Sequence, residues 1–248
     1  MDTFSTEYGK ITLYKNDHII KNKFKDGKYW GINLLMGVRE YIPKRNILEI
    51  GGHCGSSSIV YSSFLDDKKL YVYEPQKNLY TLLVKNINQN NLQSKIVPKN
   101  YGVFCYDGVG NMNGIDLDGF GVVLKRYNQE NNIGCNFGGI GLGYGGESVT
   151  LTTIDSMNLD DIGYIHCHAQ GSENFIFSKG LETLRKYRPV ILYEDSQHHF
   201  KYHYENVCNS YPAYKEESMF DVKKYCMETL NYSSCINHFH GNNILLIP

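Results

Sequence analysis

The turn that follows the apolar run at residues 47–50 constrains the fold more strongly than any other part of this sequence. The run ends in glycines at positions 51, 52 and 55, and a helical pattern begins at Ser57. Glycine adopts backbone conformations that other residues resist, and it lets the backbone approach a ligand closely. Open α/β sheets bind their ligands where such a strand ends and a helix begins. The sequence therefore predicts a buried strand, a tight turn and a helix, with a ligand site at the turn.

Strands and helices alternate along much of the chain. Short apolar runs predict strands, and apolar residues at helical spacing predict helices. The predicted strands lie at residues 47–50, 70–73, 96–97, 162–167, 189–194 and 244–247, and the predicted helices at residues 29–41, 57–65, 79–87 and 174–186. Ordered structure of unspecified type is expected to resume at residues 149–154. This alternation is typical of a doubly wound, mostly parallel α/β sheet. Because the chain has 248 residues and no internal repeat, we expect a single domain over residues 1–248.

Two segments interrupt this alternation. Residues 1–28 are polar and aromatic, and a turn signal at residues 15–17 follows the alternating residues 11–14, which predicts a short N-terminal hairpin or cap. Residues 108–146 contain 12 of the 24 glycines. A stretch of this length without strong periodicity is a functional loop or an irregular hairpin. We expect a glycine-rich loop insertion there, with a substrate lid and a floppy insertion as equal alternatives.

Charge and cysteine content limit the partners that the chain can take. Lysine and arginine total 25 against 26 acidic residues, so a net charge of −1 offers no broad basic surface for nucleic acid or an anionic membrane. No apolar run approaches the roughly 18 residues that a membrane span needs, and the N-terminal residues lack a secretory pattern. The seven cysteines are scattered, odd in number and without a C-x-x-C pair. These features predict free thiols in a cytoplasmic protein that binds neither nucleic acid nor membrane.

The residues around the turn separate two classes of cofactor. Nicotinamide dinucleotides bind at G-x-G-x-x-G, and the spacing of Gly51, Gly52 and Gly55 does not match that pattern, which disfavours a dehydrogenase. Glu49, which precedes the turn, disfavours a pyrophosphate and suits the ammonium group of an amino acid. Glu74, at the end of the second predicted strand, can accept hydrogen bonds from a ribose diol. This combination is typical of S-adenosylmethionine sites, and a purely structural glycine turn remains the alternative.

Motifs over nearly the whole chain resemble those of the FkbM-type methyltransferases, a branch of the class I S-adenosylmethionine-dependent enzymes. Residues 49–55 are similar to the family's D-x-G-A-N-x-G, and residues 165–173 to its I-K-I-D-V-E-G-A-E. Further similarities lie at residues 16–17, 27–30, 73–86, 152–155, 180, 188–189, 194, 231–232 and 243–248. Chains of this kind also occur in large DNA viruses, and the abundance of tyrosine, with 21 residues, is compatible with such a source.

The resemblance implies a fold, a cofactor and a reaction. It implies a seven-stranded sheet whose last pair of strands is antiparallel, and methyl transfer from S-adenosylmethionine to a hydroxyl of a sugar, glycan or small metabolite. Asn100 and Tyr101, after the third predicted strand, are expected to flank the adenine. The full set of predicted cofactor contacts is Glu49, Gly51, Gly52, Gly55, Ser57, Glu74, Asn100 and Tyr101.

The sequence departs from the family at the residues nearest the transferred methyl group. His53 replaces the family's asparagine, His166 its lysine, and His168-Ala169-Gln170 its D-x-E. An imidazole has an ordinary pKa near 6.5 and is a reasonable general base for a hydroxyl acceptor. We therefore predict His168 as the base, Gln170 as an orienting group and Glu194 as the supporting carboxylate. The alternative is a catalytically degenerate methyltransferase fold that serves as a binding or structural module.

The histidines also raise the question of a metal. His166 and His168 are two residues apart on a predicted strand, so they point to the same face. Together with Glu194, His198 and His199 they could form an imidazole–carboxylate metal site. Two histidines on one strand supply too few certain ligands, and we expect no bound metal.

Overall fold

The strands and helices lie in three described ranges of the chain. The computed structural model describes residues 1–17, 19–117 and 136–248. Its strands are β1 (Asp2–Thr6), β2 (Gly9–Leu13), β3 (Asn46–Ile50), β4 (Leu70–Tyr73), β5 (Ile96–Lys99), β6 (Gly102–Val103), β7 (Gly108–Asn113), β8 (Gly145–Thr152), β9 (Ile162–Cys167), β10 (Val190–Glu194), β11 (Ser234–Phe239) and β12 (Asn243–Ile247). Its helices are α1 (Ile20–Lys25), α2 (Ile32–Gly37), α3 (Ser56–Ser62), α4 (Lys77–Gln89), α5 (Glu173–Ser178), α6 (Leu181–Tyr187), α7 (Ser196–His199), α8 (Lys201–Ser210), α9 (Lys215–Ser218) and α10 (Val222–Lys224). None of these described helices has the length and apolar character needed to cross a membrane.

Seven strands form the central sheet, in the order β11-β12-β10-β9-β3-β4-β5. Strands β3, β4, β5, β9 and β10 pair in parallel, and β12 runs antiparallel to both of its neighbours. Every residue of β3, β9 and β10 is buried, which explains why their sequences read as nearly continuous apolar runs. The prediction of a doubly wound, mostly parallel seven-stranded sheet is confirmed.

Helices cover both faces of this sheet, because successive residues of each strand point to opposite sides. In β3, Leu48 and Ile50 pack into a core that includes residues of α5 and α6. Ile47 packs into a second core on the opposite face of the sheet, and this core includes residues of α3 and α4. The two cores leave the carboxyl ends of β3, β4, β9 and β10 along one edge of the sheet, and the polar residues at that edge form the candidate site.

The N-terminal segment is a hairpin that packs on α4. Strands β1 and β2 pair antiparallel with their turn at residues 7–8, and α1 follows. The side chain of Asn86 accepts a hydrogen bond from the Thr12 N–H at 2.8 Å and donates to the carbonyls of Thr12 at 3.0 Å and Cys54 at 2.7 Å. This single amide joins the hairpin to the glycine turn, so the N-terminal hairpin supports the site.

The glycine-rich segment is partly built into a second sheet. Strands β7 and β8 pair antiparallel, and β6 pairs with β8 in parallel. Residues 108–113 and 145–146 of the predicted loop insertion are therefore strand, as in the irregular-hairpin alternative. Residues 118–135, the centre of the predicted lid, lie outside the described residues.

Two predicted helices differ from the structure in length. The helix predicted at residues 29–41 is α2 followed by a short 3-10 turn at Arg39–Tyr41. The helix predicted at residues 174–186 is divided into α5 and α6, because the Asp155 carboxylate accepts the N–H groups of Glu182 at 3.1 Å and Thr183 at 2.9 Å and so starts a new helix. Strand β11 and helices α7 to α10 were not predicted at all.

Candidate functional site

The glycine turn follows β3 and lies against the backbone at the end of β9. Gly51 has φ +87°, and a Cβ atom built there would lie 2.1 Å from the carbonyl oxygen of His168. The His168 N–H in turn donates to the Ile50 carbonyl at 3.0 Å. Only glycine fits this position, since a side chain would be strained in φ and would collide with backbone. Gly52 and Gly55 lie against side chains of β4 and α4 in the same turn.

Glu49 is fully buried at the end of β3. Its carboxylate accepts hydrogen bonds from the hydroxyls of Ser57 and Ser58, both at the start of α3. Burial raises the pKa of Glu49 to about 7, and the two serine hydrogen bonds lower it in part. Glu49 and Ser57, both predicted as cofactor contacts, are therefore bonded to each other within the protein, and Ser58, which the sequence analysis did not select, also bonds to Glu49.

Glu74 lies at the end of β4, where it was predicted. Its two carboxylate oxygens accept the N–H groups of His53 and Gln76, each at 2.8 Å. The residue is 3% exposed, and burial raises its pKa to about 7. The Asn100 amide donates to the carbonyls of Glu74 at 2.9 Å and Pro75 at 3.0 Å, so it shapes the chain next to Glu74. Tyr101, the last of the predicted contacts, is 41% exposed.

His53 occupies the middle of the glycine turn. Its φ is +49°, and both of its ring nitrogens are buried without a hydrogen-bond partner among the described residues. Burial, followed by the neighbouring His168, lowers the pKa of His53 to about 4, so its imidazole is neutral. The sequence analysis noted the change from the family's asparagine but did not place His53 in the site.

His166 belongs to a buried polar network beneath the turn. Its Nδ1 lies 3.2 Å from the Tyr61 hydroxyl and 3.9 Å from the Glu49 carboxylate. The Tyr61 hydroxyl in turn lies 3.1 Å from the Tyr164 hydroxyl. Burial lowers the pKa of His166 to about 3, with a further contribution from His168. Its Nε2 is buried and has no partner among the described residues. His166 therefore contributes a neutral imidazole to the floor of the site.

His168 and Glu194 are brought together as predicted for the chemistry. His168 Nε2 lies 3.5 Å from Glu194 Oε2, and the Ser196 hydroxyl donates to the same oxygen at 3.2 Å. The His168 side chain is 40% exposed and the Glu194 side chain 10%. The imidazole therefore faces solvent with a carboxylate behind it, beside the backbone of Gly51.

The loop that carries Gln170 is held by a carboxylate that the sequence analysis missed. Both oxygens of buried Glu173 accept loop N–H groups, from Ala169 at 2.7 Å and from Gly171 at 3.1 Å. Burial raises the pKa of Glu173, and the nearby Glu194 raises it further. Gln170 has φ +50° and is half-buried. Glu173 thus fixes the backbone on either side of Gln170. An acidic residue immediately before the helix predicted at residues 174–186 was the sequence feature that could have identified this role.

Residues 136–142 pack over the turn. The Gln76 side chain donates to the Phe137 carbonyl at 3.1 Å. A Cβ atom built on Gly138 would lie 3.7 Å from the His53 ring, and one built on Gly141 would lie 2.7 Å from the Gln170 carbonyl oxygen. This part of the glycine-rich segment therefore packs against His53 of the turn and against Gln170 of the loop after β9, while His168 remains accessible.

The histidines and acids of the site do not form a metal centre in the part of the chain that the structure describes. No group of three or more His, Cys, Asp or Glu side chains there is placed to hold a metal ion. The rings of His166 and His168 are 6.5 Å apart, centre to centre. His198 pairs with Asp195 at 2.7 Å and not with the His168–Glu194 pair.

Solved structures share this arrangement of strands. The structure of methyltransferase FkbM from Methylobacillus flagellatus KT aligns with a TM-score of 0.50 and 11% identity over 82% of this chain. This chain has a methyltransferase fold. The alignment covers 43% of the Methylobacillus protein, so this chain spans less than half of its length. At 11% identity the similarity concerns the fold alone.

Two further methyltransferase structures align over most of this chain. The O-methyltransferase from Bacillus cereus in complex with SAH has a TM-score of 0.46 and 14% identity over 95% of this chain and 84% of its own. A methyltransferase from Geobacter sulfurreducens has a TM-score of 0.44 and 10% identity over 87% of this chain and 75% of its own. No protein-family model matches the chain, and no curated protein matches it in sequence.

The methyltransferase fold implies S-adenosylmethionine, and the donor and acceptor groups at the turn suit it. Each oxygen of Glu74 accepts one N–H group, which leaves a second lone pair on each for a ribose diol. The unpaired nitrogens of His53 and His166 offer donors and acceptors inside the site. Glu49 is less accessible, because it is fully buried and already bonded to two serines.

Proposed function

We propose that this chain is an S-adenosylmethionine-dependent O-methyltransferase that acts on a hydroxyl of a sugar, glycan or small metabolite. The observation that carries the proposal is the His168–Glu194 pair at 3.5 Å, directly beside Gly51 of the glycine turn. It supplies a proton acceptor at the edge where a fold of this kind holds its ligands.

The roles of the two side chains follow from their orientation. Because His168 Nε2 faces the Glu194 carboxylate, the Nε2–H tautomer is favoured and Nδ1 keeps its lone pair. Nδ1 accepts the proton of the acceptor hydroxyl, and Glu194 stabilises the imidazolium that forms. The bound cofactor supplies a methyl group on a sulfonium whose leaving group is neutral, so the protein contributes mainly by positioning. Gln170, held by the Glu173 loop, is proposed to orient the acceptor.

The cofactor residues divide into two groups under this proposal. Glu74 holds the ribose diol, Tyr101 covers the adenine from the exposed side, and Asn100 supports the backbone at Glu74. Gly51, Gly52 and Gly55 let the backbone approach the ligand. Glu49 and Ser57 define the end of the site that receives the amino-acid part.

Titration calorimetry with S-adenosylhomocysteine, S-adenosylmethionine and NAD tests this assignment. We expect binding of the first two and none of NAD. The variant Glu74→Ala should weaken S-adenosylhomocysteine by roughly 1–3 kcal/mol, because it removes hydrogen bonds to the diol. Glu182→Ala, which removes an exposed carboxylate on α6, is the matched control and should leave the affinity unchanged. A folded wild type that binds neither adenosyl ligand at millimolar concentration contradicts the proposal.

A second candidate function is a degenerate methyltransferase fold that serves as a binding or structural module. It is favoured by the satisfaction of Glu49 and Glu74 by groups of the protein itself, and by the packing of residues 136–142 on the turn. Binding of S-adenosylhomocysteine without turnover on any hydroxylated acceptor would identify this case.

The overall charge of the chain favours a small acceptor over nucleic acid. We infer a small-molecule or glycan substrate and no nucleic acid, because basic and acidic residues nearly balance, at 25 and 26. The described cysteines are all free thiols, which supports the proposed cytoplasmic location.

A further inference from the structure

The carboxylate of Glu49 is enclosed by buried polar groups. Its hydrogen-bond partner Ser58 is fully buried, and His166 lies 3.9 Å from it. The fully buried hydroxyls of Tyr61 and Tyr164 continue the chain of contacts from His166. We call these five residues the buried network. A ligand group that reached the Glu49 carboxylate would have to displace members of the buried network, and burial also raises the pKa of Glu49 to about 7, which weakens its attraction for a cation near neutral pH.

Backbone N–H groups of the glycine turn are also bonded within the protein. The N–H groups of Gly51 and Gly52 both donate to the Tyr73 carbonyl, at 2.9 Å and 3.1 Å. The Gly55 N–H donates to the Gly52 carbonyl at 2.8 Å, and the His53 N–H donates to the carboxylate at the end of β4 at 2.8 Å. An anionic group of a ligand would have to break one of these bonds to use the same N–H group.

The surroundings of Glu74 differ from those of Glu49. Each Glu74 oxygen accepts one N–H group and keeps a second lone pair, so a diol can donate to it without displacing a partner. The residues that border Glu74 also reach the surface, since Pro75 and Gln76 are half-buried and Tyr101 is exposed. Glu74 is therefore approached through accessible groups, whereas Glu49 is approached through buried ones.

We propose that the site recognises the adenosine part of its ligand and not the amino-acid tail, so that 5′-thioethers of adenosine without a tail, such as 5′-methylthioadenosine, occupy the same site and compete with S-adenosylmethionine. This inference rests on the proposed function. The ammonium and carboxylate groups of a tail would compete for protein groups that are already bonded internally, whereas the ribose diol would not. The tail of a bound S-adenosyl ligand then ends against the buried network without entering it.

Calorimetry on the full chain compares S-adenosylhomocysteine with 5′-methylthioadenosine. The two ligands share the adenosine and the thioether, and only the first carries the tail. A tail ammonium held directly by Glu49 would be worth roughly 10- to 100-fold in affinity, because hydrogen bonds between charged groups are strong. We expect 5′-methylthioadenosine to bind less than about tenfold more weakly than S-adenosylhomocysteine and to displace it. A larger difference, or no displacement, overturns the proposal.

A matched pair of variants locates the recognition. Glu49→Gln and Glu74→Gln each replace a buried carboxylate beside the turn with an amide of the same size. Glu74→Gln should weaken both ligands by the same factor, about tenfold, because both carry the diol. Glu49→Gln should also change the two dissociation constants by one common factor, since neither ligand is held there. Glu182→Gln, at an exposed position on α6, is the control and should leave both constants unchanged.

The outcome that contradicts the proposal is selective. If Glu49→Gln weakens S-adenosylhomocysteine but not 5′-methylthioadenosine, the tail is held by Glu49 and the proposal is wrong. If Glu49→Gln does not fold, the comparison of the two ligands on the wild type decides alone. A folded wild type that binds neither ligand contradicts the proposed function itself, whereas binding of S-adenosylhomocysteine alone leaves that function standing and removes only this inference.

Discussion

The two halves of the functional edge treat their polar groups in opposite ways. At the ends of β3 and β4, Glu49 and Glu74 are 0% and 3% exposed, and serine hydroxyls or backbone N–H groups satisfy them. At the ends of β9 and β10, His168 is partly exposed and only Glu194 accompanies it. We call the ends of β3 and β4 the closed half, because their carboxylates are buried and bonded within the protein, and the ends of β9 and β10 the open half, because the His168 imidazole there is accessible. We therefore expect substitutions in the closed half to change stability most, and substitution of His168 to change the proposed methyl transfer most.

The largest expected effect lies in the open half. His168→Ala should lower the rate of the proposed methyl transfer to a hydroxyl acceptor by about 10²- to 10⁴-fold, because the acceptor proton loses its base. The affinity for S-adenosylhomocysteine should stay within about twofold, since the closed half is untouched. A radiolabel-transfer assay and calorimetry measure the two quantities, with His240→Ala as control. An unchanged rate in His168→Ala removes this imidazole from the mechanism.

The next effect tests whether the closed half determines stability. Gly51→Ala should lower the free energy of unfolding by about 3 kcal/mol or more, because its Cβ would meet the His168 carbonyl oxygen in addition to the strain of φ +87°. Gly27 has φ +70°, and a Cβ atom built there has no other atom within 4 Å. Gly27→Ala therefore adds backbone strain without a collision and should lower the free energy of unfolding by about 1 kcal/mol. Denaturant unfolding measures both. Similar losses in the two variants would show that the turn tolerates displacement from β9.

A third effect depends on pH. Burial raises the pKa of Glu74 to about 7, so the folded state holds this proton more tightly than the unfolded state, with its ordinary value of 4.5. The stabilisation that the protonated Glu74 carboxyl contributes is fully present below about pH 4.5 and is lost as pH rises through about 7. Glu74→Gln, which cannot ionise, should therefore gain roughly 1–3 kcal/mol of unfolding free energy relative to wild type between about pH 5 and pH 8.

Denaturant titrations at the two pH values measure this gain. Glu182→Gln makes the same substitution at an exposed site and is the control for effects unrelated to burial. A wild type that becomes more stable relative to Glu74→Gln as pH rises would show that the Glu74 carboxylate is solvated, and the contrast between the halves would disappear.

The smallest expected effect is that the imidazoles of His53 and His166 do not titrate near neutral pH. Burial lowers the pKa of His53 to about 4 and of His166 to about 3, so both rings stay neutral from about pH 5.5 to pH 8. Their ring nitrogen shifts, followed by long-range ¹⁵N NMR, should not move in this range. A midpoint near pH 6.5 for either ring would mean that water reaches the buried side chains beneath the glycine turn.

The sequence predicted the parts of the fold that local pattern controls. Buried parallel strands such as β3, β9 and β10 read as apolar runs, and the glycines at 51 and 55 marked the turn. Strand β11 was missed because its residues are mostly half-buried or exposed and it pairs only with β12. The division between α5 and α6 was missed because the Asp155 carboxylate that starts the second helix is distant in sequence.

The candidate site was predictable to a similar degree. Glu49 and Glu74 were selected from their positions beside the first two predicted strands, and His168 and Glu194 from the family resemblance. The structure places all four along one edge. Glu173 and His53 were not selected, because their importance comes from burial and from which atoms remain unpaired. Those quantities depend on residues 136–142 and on the loop after β9, which no local pattern connects to the turn.

The position of β12 has a consequence for how the chain assembles. Within the central sheet β11 pairs with β12 alone, and β12 lies between β10 and β11 although it follows both in sequence. During synthesis β11 therefore leaves the ribosome with its place in the sheet not yet formed, while the parallel strands from β3 to β10 can already associate. The connection that carries His238 and His240 takes its final place only when β12 inserts between β10 and β11, so this corner of the sheet is among the last parts of the molecule to form.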